Sequence, residues 1–393
     1  MSGADRPVTG FNPDPERFRQ EVCAFLEAEM AADRTAGHAD PTDRTGLDEG
    51  FERALLRRAG QQGYLGIGLP SEVGGGGRPP SFVAAFQYEV AYHHAPLVDT
   101  AVTLAAVPLI EFGDPEQQAA LLPPMLAGEI EMCIAYTEPA AGNDLTGLTT
   151  TARAEGDGFV LDGTKTLITG AGRADHCLTV AITDPTVVPR QGMSMFVVDM
   201  RAPGVSVIAR PTMARYCLWD VRFDVVHLAA GALLGQRDQG WPQLSRAVEA
   251  ERNAMFSLGW CQRSFDDMVA ELAATGRLDD PMVADTVAQL WIDLRAGWRV
   301  SLSLLDPGAS RVAASMAKVH LTELAQRLAQ AATELAGPAG AIEFSPFTAT
   351  GPDGAGGRFC YEYLFRVDGP ISVGANELHR TGIAQAGLGL PRR

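Results

Sequence analysis

The hydrophobic pattern changes period twice along this chain, and few folds accommodate that order. From Asp14 to about Glu129, apolar residues such as Phe18, Val22, Phe25, Leu26 and Met30 recur every three or four positions, which marks one face of a helix. The Gly-rich stretch Ser71–Pro80 predicts a loop, with helices resuming through Phe82–His94 and Pro115–Leu126. From about Met132 to Gly235 short β-type runs take over, broken by Gly, Asp and Pro. Among them are Phe159–Thr169, Cys177–Ile182, Met193–Val198 and Val205–Ile208; Asp162-Gly163 has the chemistry of a tight hairpin turn. From Trp241 helices return. Leu244, Val248, Met255, Leu258, Cys261, Phe265 and Met268 predict one long helix, followed by Asp285–Leu305 and Val312–Leu335, the last ended by Ala336-Gly337-Pro338. The expectation is a mostly helical α+β chain with three domains: an N-terminal helical domain (1–130), a middle β-barrel or sandwich (131–236) and a C-terminal helical bundle (237–393).

Bulk properties narrow the function. The net charge of −16 opposes an electrostatic grip on nucleic acid or anionic membrane. Met1–Pro13 lacks the basic start and apolar run of a secretion signal, and stretches such as Val98–Phe112 are too short to span a bilayer, so a cytoplasmic protein is expected. Six scattered cysteines without a CxxC pair predict reduced thiols. The seven histidines form no spaced ligand set, so no metal is expected, and no nucleophile elbow supports Ser/His/Asp catalysis.

Particular segments are more specific. Tyr136-Thr-Glu-Pro-Ala-Ala-Gly-Asn-Asp-Leu145 resembles the Thr-Glu-Pro-x-x-Gly-Ser-Asp flavin loop of the acyl-CoA dehydrogenases. Gly163-Thr-Lys-Thr-Leu-Ile-Thr-Gly170 resembles the strand that lies against the flavin ring in that family, and Val373-Gly-Ala-Asn-Glu-Leu-His-Arg380 its closing Gly-Thr-Ser-Glu-Ile-Gln-Arg stretch. Weaker likeness runs through Ser315-Met-Ala-Lys-Val319 and Leu388-Gly-Leu-Pro-Arg392. The match covers nearly the whole chain in the right order.

The resemblance implies FAD-dependent desaturation of an acyl thioester, carried on CoA or on an acyl carrier protein, by proton removal and hydride transfer to flavin N5. It implies that Thr137 and Thr169 bond the ring edge, that Tyr136, Leu167 and Ile168 lie near it, and that the amides around Gly142 and Asn143 approach the pyrophosphate. Gly337, Gly340 and Asn376 complete the implied cofactor contacts. Many family members carry the base immediately before the Gly of the closing stretch, where this chain has Val373, which cannot take a proton. A second group places the Glu on the first long helix of the C-terminal domain, directly before an Arg; here that pair is Glu251-Arg252. Glu251 is therefore the expected base, because a desolvated carboxylate is strengthened for the task. The backbone N–H of Val373 is the expected donor to the thioester carbonyl, and Arg252 a contact to the substrate phosphate or a surface salt bridge.

The chain departs from the pattern at Leu167 (usually Trp), Asn143 (Ser) and Ala375-Asn376 (Thr-Ser). Gly337-Pro-Ala-Gly340 stands in for Gly-Gly-x-Gly, and Thr275–Pro281 for an Arg-x-x-Phe-Gly segment that reaches the partner subunit's FAD. A homodimer or homotetramer and an electron-transferring flavoprotein or similar acceptor are implied. Two other readings stay open: a flavin monooxygenase on the same fold, and a partner-dependent subunit of a heteromeric dehydrogenase.

Overall fold

The computed structural model describes residues 13–36, 49–97, 104–214, 217–250, 254–306, 308–341 and 358–391. In chain order the helices α1 (Pro13–Ala36), α2 (Glu49–Gln61), α3 (Pro80–Tyr92), α4 (Ala106–Phe112) and α5 (Pro115–Leu126) come first. The strands follow: β1 (Met132–Ala135), β2 (Thr151–Glu155), β3 (Gly158–Ile168), β4 (His176–Ile182), β5 (Met193–Asp199), β6 (Val205–Pro211), β7 (Cys217–Leu228) and β8 (Leu233–Leu234), with the one-turn helix α6 (Pro189–Gly192) before β5. Helices α7 (Gly240–Ala250), α8 (Ala254–Ala274), α9 (Pro281–Ser303), α10 (Arg311–Leu335), α11 (Arg358–Phe365) and α12 (Asn376–Gly382) complete the chain. The helix–sheet–helix order is the one the periodicity predicts. The apolar stripe expected on one long helix falls on α7 and α8, and residues 251–253, including Glu251 and Arg252, lie outside the described residues.

Local chemistry explains where elements begin. Asp114 caps α5 by accepting from the Gln117 N–H at 2.8 Å while Gln117 returns a bond to the Asp114 N–H, and Pro115 occupies the first turn, where no N–H is needed. Asp280 caps α9 through the Met282 N–H, and Ser310 caps α10 through the Ala313 N–H.

Contacts divide the chain into two compact units. The first comprises Met1–Phe51, Arg78–Leu97 and Arg252–Arg393, and its described residues are mainly helical. Its core packs Tyr88 of α3 with Leu258, Cys261 and Phe265 of α8, Leu294 and Trp298 of α9, and Leu321, Leu324 and Leu328 of α10. The second comprises Glu52–Gly77 and Val98–Glu251 and is built on the sheet. Its strands run β6-β7-β3-β2-β4-β5-β8, with β1 added parallel to β4. The β2–β4 link is the single parallel bridge Thr151↔Ile182, so the sheet has two arms. Both arms feed one core, with Leu161, Val221 and Phe223 from one and Cys177, Phe196 and Val198 from the other. That is the layout of a small sandwich.

The sequence misplaces one turn. Asp162-Gly163 lies inside the eleven-residue β3, and the β2–β3 hairpin closes instead between Glu155 and Gly158. At Gly163 the register against β7 shifts, and a Cβ there would sit 2.4 Å from Thr150 Oγ1. The glycine serves a bulge and a close approach rather than a turn. Among the described residues all six cysteines are free thiols, and no helix is long and apolar enough to cross a membrane.

Candidate active site

In the sheet unit, the residues implicated by sequence come from the loop after β1 and the end of β3. The Thr166 N–H donates to the Thr137 carbonyl at 2.9 Å, which lays Tyr136-Thr137 alongside the last residues of β3. Glu138 pairs with Ala141 through two backbone bonds, forming a tight turn around Pro139. This turn drives the Glu138 side chain inward. One oxygen accepts from Lys165 Nζ at 2.8 Å and the Thr150 N–H at 3.1 Å, the other from the Thr149 N–H at 2.6 Å and its hydroxyl at 2.8 Å. Lys165 is 0% exposed.

Burial by itself would raise the Glu138 pKa; the Lys165 ammonium and the hydrogen bonds from Thr150 and Thr149 outweigh it and hold the carboxyl at about 2. Burial pushes Lys165 downward against the pull of Glu138. An ion pair this deep gains little net stability but is costly to break, so it acts as a staple between loop and strand. Sequence reasoning assigned neither residue. Both lie within the segments quoted above, and a strand lysine of ordinary solvated kind gives no hint of a partner twenty-seven residues away.

Beyond the staple, Leu167 adopts φ +58°, in the left-handed region, with its side chain 57% exposed, while Ile168 is buried. A non-glycine residue there costs roughly 1–2 kcal/mol, so something must hold it. The β3–β7 register shifts between Lys165 and Ile168, and the carboxylate of Asp220 on β7 fills the irregularity. It accepts from Thr166 Oγ1 at 2.6 Å, from Arg210 Nε at 2.7 Å and from the Leu167 N–H. Hydrogen bonding from Arg210 leads the causes that lower the Asp220 pKa. Thr169 follows, half-buried. In the loop, Gly142 and Asn143 are exposed, and nothing lies within 4 Å of a Cβ built at Gly142. Asp144 fixes the next turn by accepting from the Thr146 hydroxyl at 2.7 Å and its N–H at 3.0 Å. An exposed apolar side chain at the end of β3, a Tyr136-Thr137 segment bonded to that strand end, half-buried Thr137 and Thr169, and an exposed Gly142-Asn143 turn in the same loop fit one face and the polar edge of a flat heteroaromatic ring carrying a phosphate tail.

In the helical unit the closing stretch carries a second left-handed pair, Val373 at φ +54° and Gly374 at φ +78°. A β-branched residue is a real outlier there. The Val373 carbonyl turns toward His379 of α12 and the Gly374 carbonyl toward Lys318 of α10. His379 Nε2 lies 3.2 Å from the Val373 oxygen and its Nδ1 3.1 Å from Ser315 Oγ, while Lys318 Nζ donates to the Gly374 oxygen at 2.9 Å and to Asn376 Oδ1 at 2.7 Å. Asn376 is 1% exposed, and its amide nitrogen donates to Thr322 Oγ1 and Glu323 Oε1. Its side chain thus binds α10, a positioning task the motif alone did not disclose. Gly337 has φ +66° just after α10, and Gly340 is buried where a Cβ would meet the Thr333 carbonyl at 2.3 Å, so this turn admits no larger residue at position 340. Glu251 and Arg252 have no described geometry.

One grouping absent from the sequence reading involves Cys23, Glu89 and His93, whose ligand atoms lie within 4.8 Å of one another. The Arg19 guanidinium is ion-paired with Glu89 there, which places a fixed positive charge at the position a cation would neutralise.

Comparisons with known proteins agree with this architecture. Family models described as the acyl-CoA dehydrogenase N-terminal, middle and C-terminal domains match residues 12–129, 133–225 and 238–388. The acyl-CoA dehydrogenase FadE29 of Mycobacterium tuberculosis is 32% identical over 380 residues, covering 90% of this chain and 93% of the relative. Among solved structures, the Tcur3481-Tcur3483 steroid ACAD superposes with a TM-score of 0.90 at 27% identity, covering 98% of this chain and 100% of that one. The ChsE4-ChsE5 complex from Mycobacterium tuberculosis gives 0.87 at 26%, covering 98% and 100%.

Proposed function

This chain belongs to the acyl-CoA dehydrogenase family, oxidoreductases acting on CH–CH bonds, and on that premise we propose that it desaturates an acyl thioester using FAD. The observation that carries the reading is the stapled platform: Glu138 and Lys165 lock the Tyr136-Thr137 segment to β3 and leave the strained Leu167 turned outward beside Thr169. FAD bound there supplies a two-electron acceptor for the hydride leaving the β-carbon.

The chain's own residues divide the remaining work. Thr137 and Thr169 would bond the ring edge, with Tyr136 and Leu167 against the ring and the backbone at Gly142 and Asn143 toward the pyrophosphate; Ile168, which the motif also suggested for the ring, instead packs into the sheet core and backs Leu167 from behind. Gly337, Gly340 and Asn376 shape the closing turns on the cofactor's side. Glu251 removes the α-proton, because Val373 leaves no proton acceptor at the alternative position. The Val373 N–H receives the thioester carbonyl as negative charge develops on it, and Arg252 meets the substrate phosphate. The three segments 1–130, 131–236 and 237–393 are the modules that carry these roles.

For the substrate, the steroid ACAD at a TM-score of 0.90 favours a bulky, ring-bearing acyl group on CoA over a short straight chain; a carrier-protein thioester is the alternative. An electron-transferring flavoprotein or similar acceptor reoxidises the enzyme. A second reading concerns assembly. Both structural relatives named above pair two differently named chains, which favours a heteromer in which a partner chain completes the cofactor site, over a homodimer or homotetramer.

The base assignment is tested by isotope exchange. An acyl-CoA deuterated at C2, incubated anaerobically with the wild-type protein, loses deuterium to water. Glu251→Gln retains flavin and stops that exchange by at least about 10²-fold. Exchange at the wild-type rate in the variant removes Glu251 from the mechanism.

A further inference from the structure

The closing stretch has more organisation than a single donor N–H needs. Among the described residues, neither the Val373 N–H nor the Gly374 N–H donates to a protein acceptor, whereas both carbonyls are occupied. In a left-handed residue, as in any helical conformation, the N–H and C=O point in opposite directions. Pinning the Val373 and Gly374 carbonyls inward therefore turns both N–H groups outward and roughly parallel. The pins come from one face of α10 and from α12: Ser315, Lys318 and Thr322 recur at helical spacing, Ser315 orients the His379 ring, and Thr322 and Glu323 orient Asn376. Before the pair, the Ile371 and Ser372 N–H groups both return to the Asp368 carbonyl, which fixes the entry to the turn.

We propose that Lys318 and His379 are positioning residues that hold Val373-Gly374 in its left-handed form, so that two parallel backbone N–H groups, not one, stabilise the enolate oxygen formed from the thioester. This rests on the dehydrogenase reading above. Neither side chain touches the substrate; each acts through a carbonyl. A planar trans peptide transmits the His379 hold directly, because fixing the Val373 C=O fixes the Gly374 N–H; Lys318 acts on the same turn by fixing the Gly374 C=O and with it the left-handed backbone of that residue.

Lys318 gives the device a signature. Burial is the largest influence on it and brings its pKa down to about 8, against the opposing pull of Asp368 from the preceding turn, Glu377 from α12 and Glu323 from α10. His379 and Arg380 of α12 are the basic neighbours, the latter paired with Glu323. Loss of the Lys318 proton weakens both of its bonds and loosens the Gly374 carbonyl.

The experiment titrates flavin-loaded wild type, Lys318→Met, Lys318→Arg and His379→Gln with acetoacetyl-CoA between pH 6 and pH 9.5. The long-wavelength charge-transfer absorbance of the bound enolate is the readout, with melting temperature measured in parallel. Wild type binds the enolate, and its affinity declines through a step near pH 8. Lys318→Met binds about 10-fold more weakly at neutral pH, a fraction of the effect of losing a whole oxyanion donor, and lacks the step. Lys318→Arg keeps the affinity and also lacks the step, since its guanidinium stays charged throughout. His379→Gln weakens binding and keeps the step. Wild-type affinity together with the alkaline step in Lys318→Met overturns the proposal. If that variant does not fold, Lys318→Arg decides: a retained step overturns the proposal and a lost one supports it. A wild-type protein that gives no enolate band overturns the dehydrogenase reading beneath it, and the proposal with it.

Discussion

The loop-and-strand platform and the closing stretch solve one problem by different means. Each contains a non-glycine residue in the left-handed region, Leu167 at +58° and Val373 at +54°, at a position that family resemblance places in the active site. On the platform the strain is held by Asp220 and backed by the Glu138–Lys165 pair, both partners of which are almost wholly shielded from water. In the closing stretch it is held by His379 on the Val373 carbonyl and by the half-buried Lys318 on the Gly374 carbonyl, and burial brings the Lys318 pKa down to about 8. A sealed pair fixes geometry across the physiological range, and a partly solvated one lets geometry respond to pH. Strained backbone persists only where its surroundings over-determine it, and here the surroundings differ in how much solvent they admit.

The largest effect is expected at the sealed pair. Lys165→Met leaves the Glu138 carboxylate buried without its cation and costs on the order of 3–5 kcal/mol, read as a shift in the urea midpoint together with loss of bound flavin. Glu138→Gln added to Lys165→Met recovers part of that loss, since it removes the orphaned charge. A single variant as stable as wild type breaks the contrast.

Next comes Asp220→Asn, which removes an acceptor shared by Thr166, Arg210 and the Leu167 N–H. The expected loss is about 1–3 kcal/mol, and flavin affinity falls before the fold does; unchanged affinity would show that the bulge does not shape the platform. Relief of strain makes a smaller, opposite change. Leu167→Gly and Val373→Gly each release the left-handed penalty, offset by the extra freedom of glycine in the unfolded chain, for a net gain of about 0.5–1 kcal/mol. A rise in melting temperature checks it, and a fall would mean that the side chains contribute packing that outweighs the strain.

The pH responses sharpen the comparison further. Glu138, with its folded pKa depressed to about 2 from 4.5, contributes stability that is present above about pH 4.5 and lost as pH falls toward 2. Lys318 works at the other end. Its folded pKa lies below the unfolded value of 10.5, so between about pH 8 and 10.5 the unfolded chain binds more protons and this group's contribution to stability grows as pH rises. Denaturant midpoints of wild type and Lys318→Met across that window should converge or cross, whereas Glu138 has no influence there.

Much of the architecture was legible in the sequence because it is encoded locally. Asp114, Pro115 and Gln117 announce the start of α5 within four residues, and Ser310 announces α10. The misplaced hairpin shows where local chemistry stops being sufficient. Asp162-Gly163 has turn residues, but the space that demands glycine is set by Thr150 on another part of the chain. The site was legible as a list of motif positions. The devices that position it were not, since Lys165 with Glu138, Asp220 with Leu167, and Lys318 with Gly374 are separated by 27, 53 and 56 residues. Pairings of that kind are decided by packing rather than by pattern.

The most direct test of the central claim is the visible spectrum of the purified protein, recorded anaerobically before and after addition of a panel of acyl thioesters. The panel spans straight-chain and ring-bearing acyl groups, on CoA and on acyl carrier protein. The account predicts a flavin absorbance that bleaches with at least one of them, most completely with a ring-bearing acyl-CoA. A flavin-loaded protein that no acyl thioester reduces would contradict it.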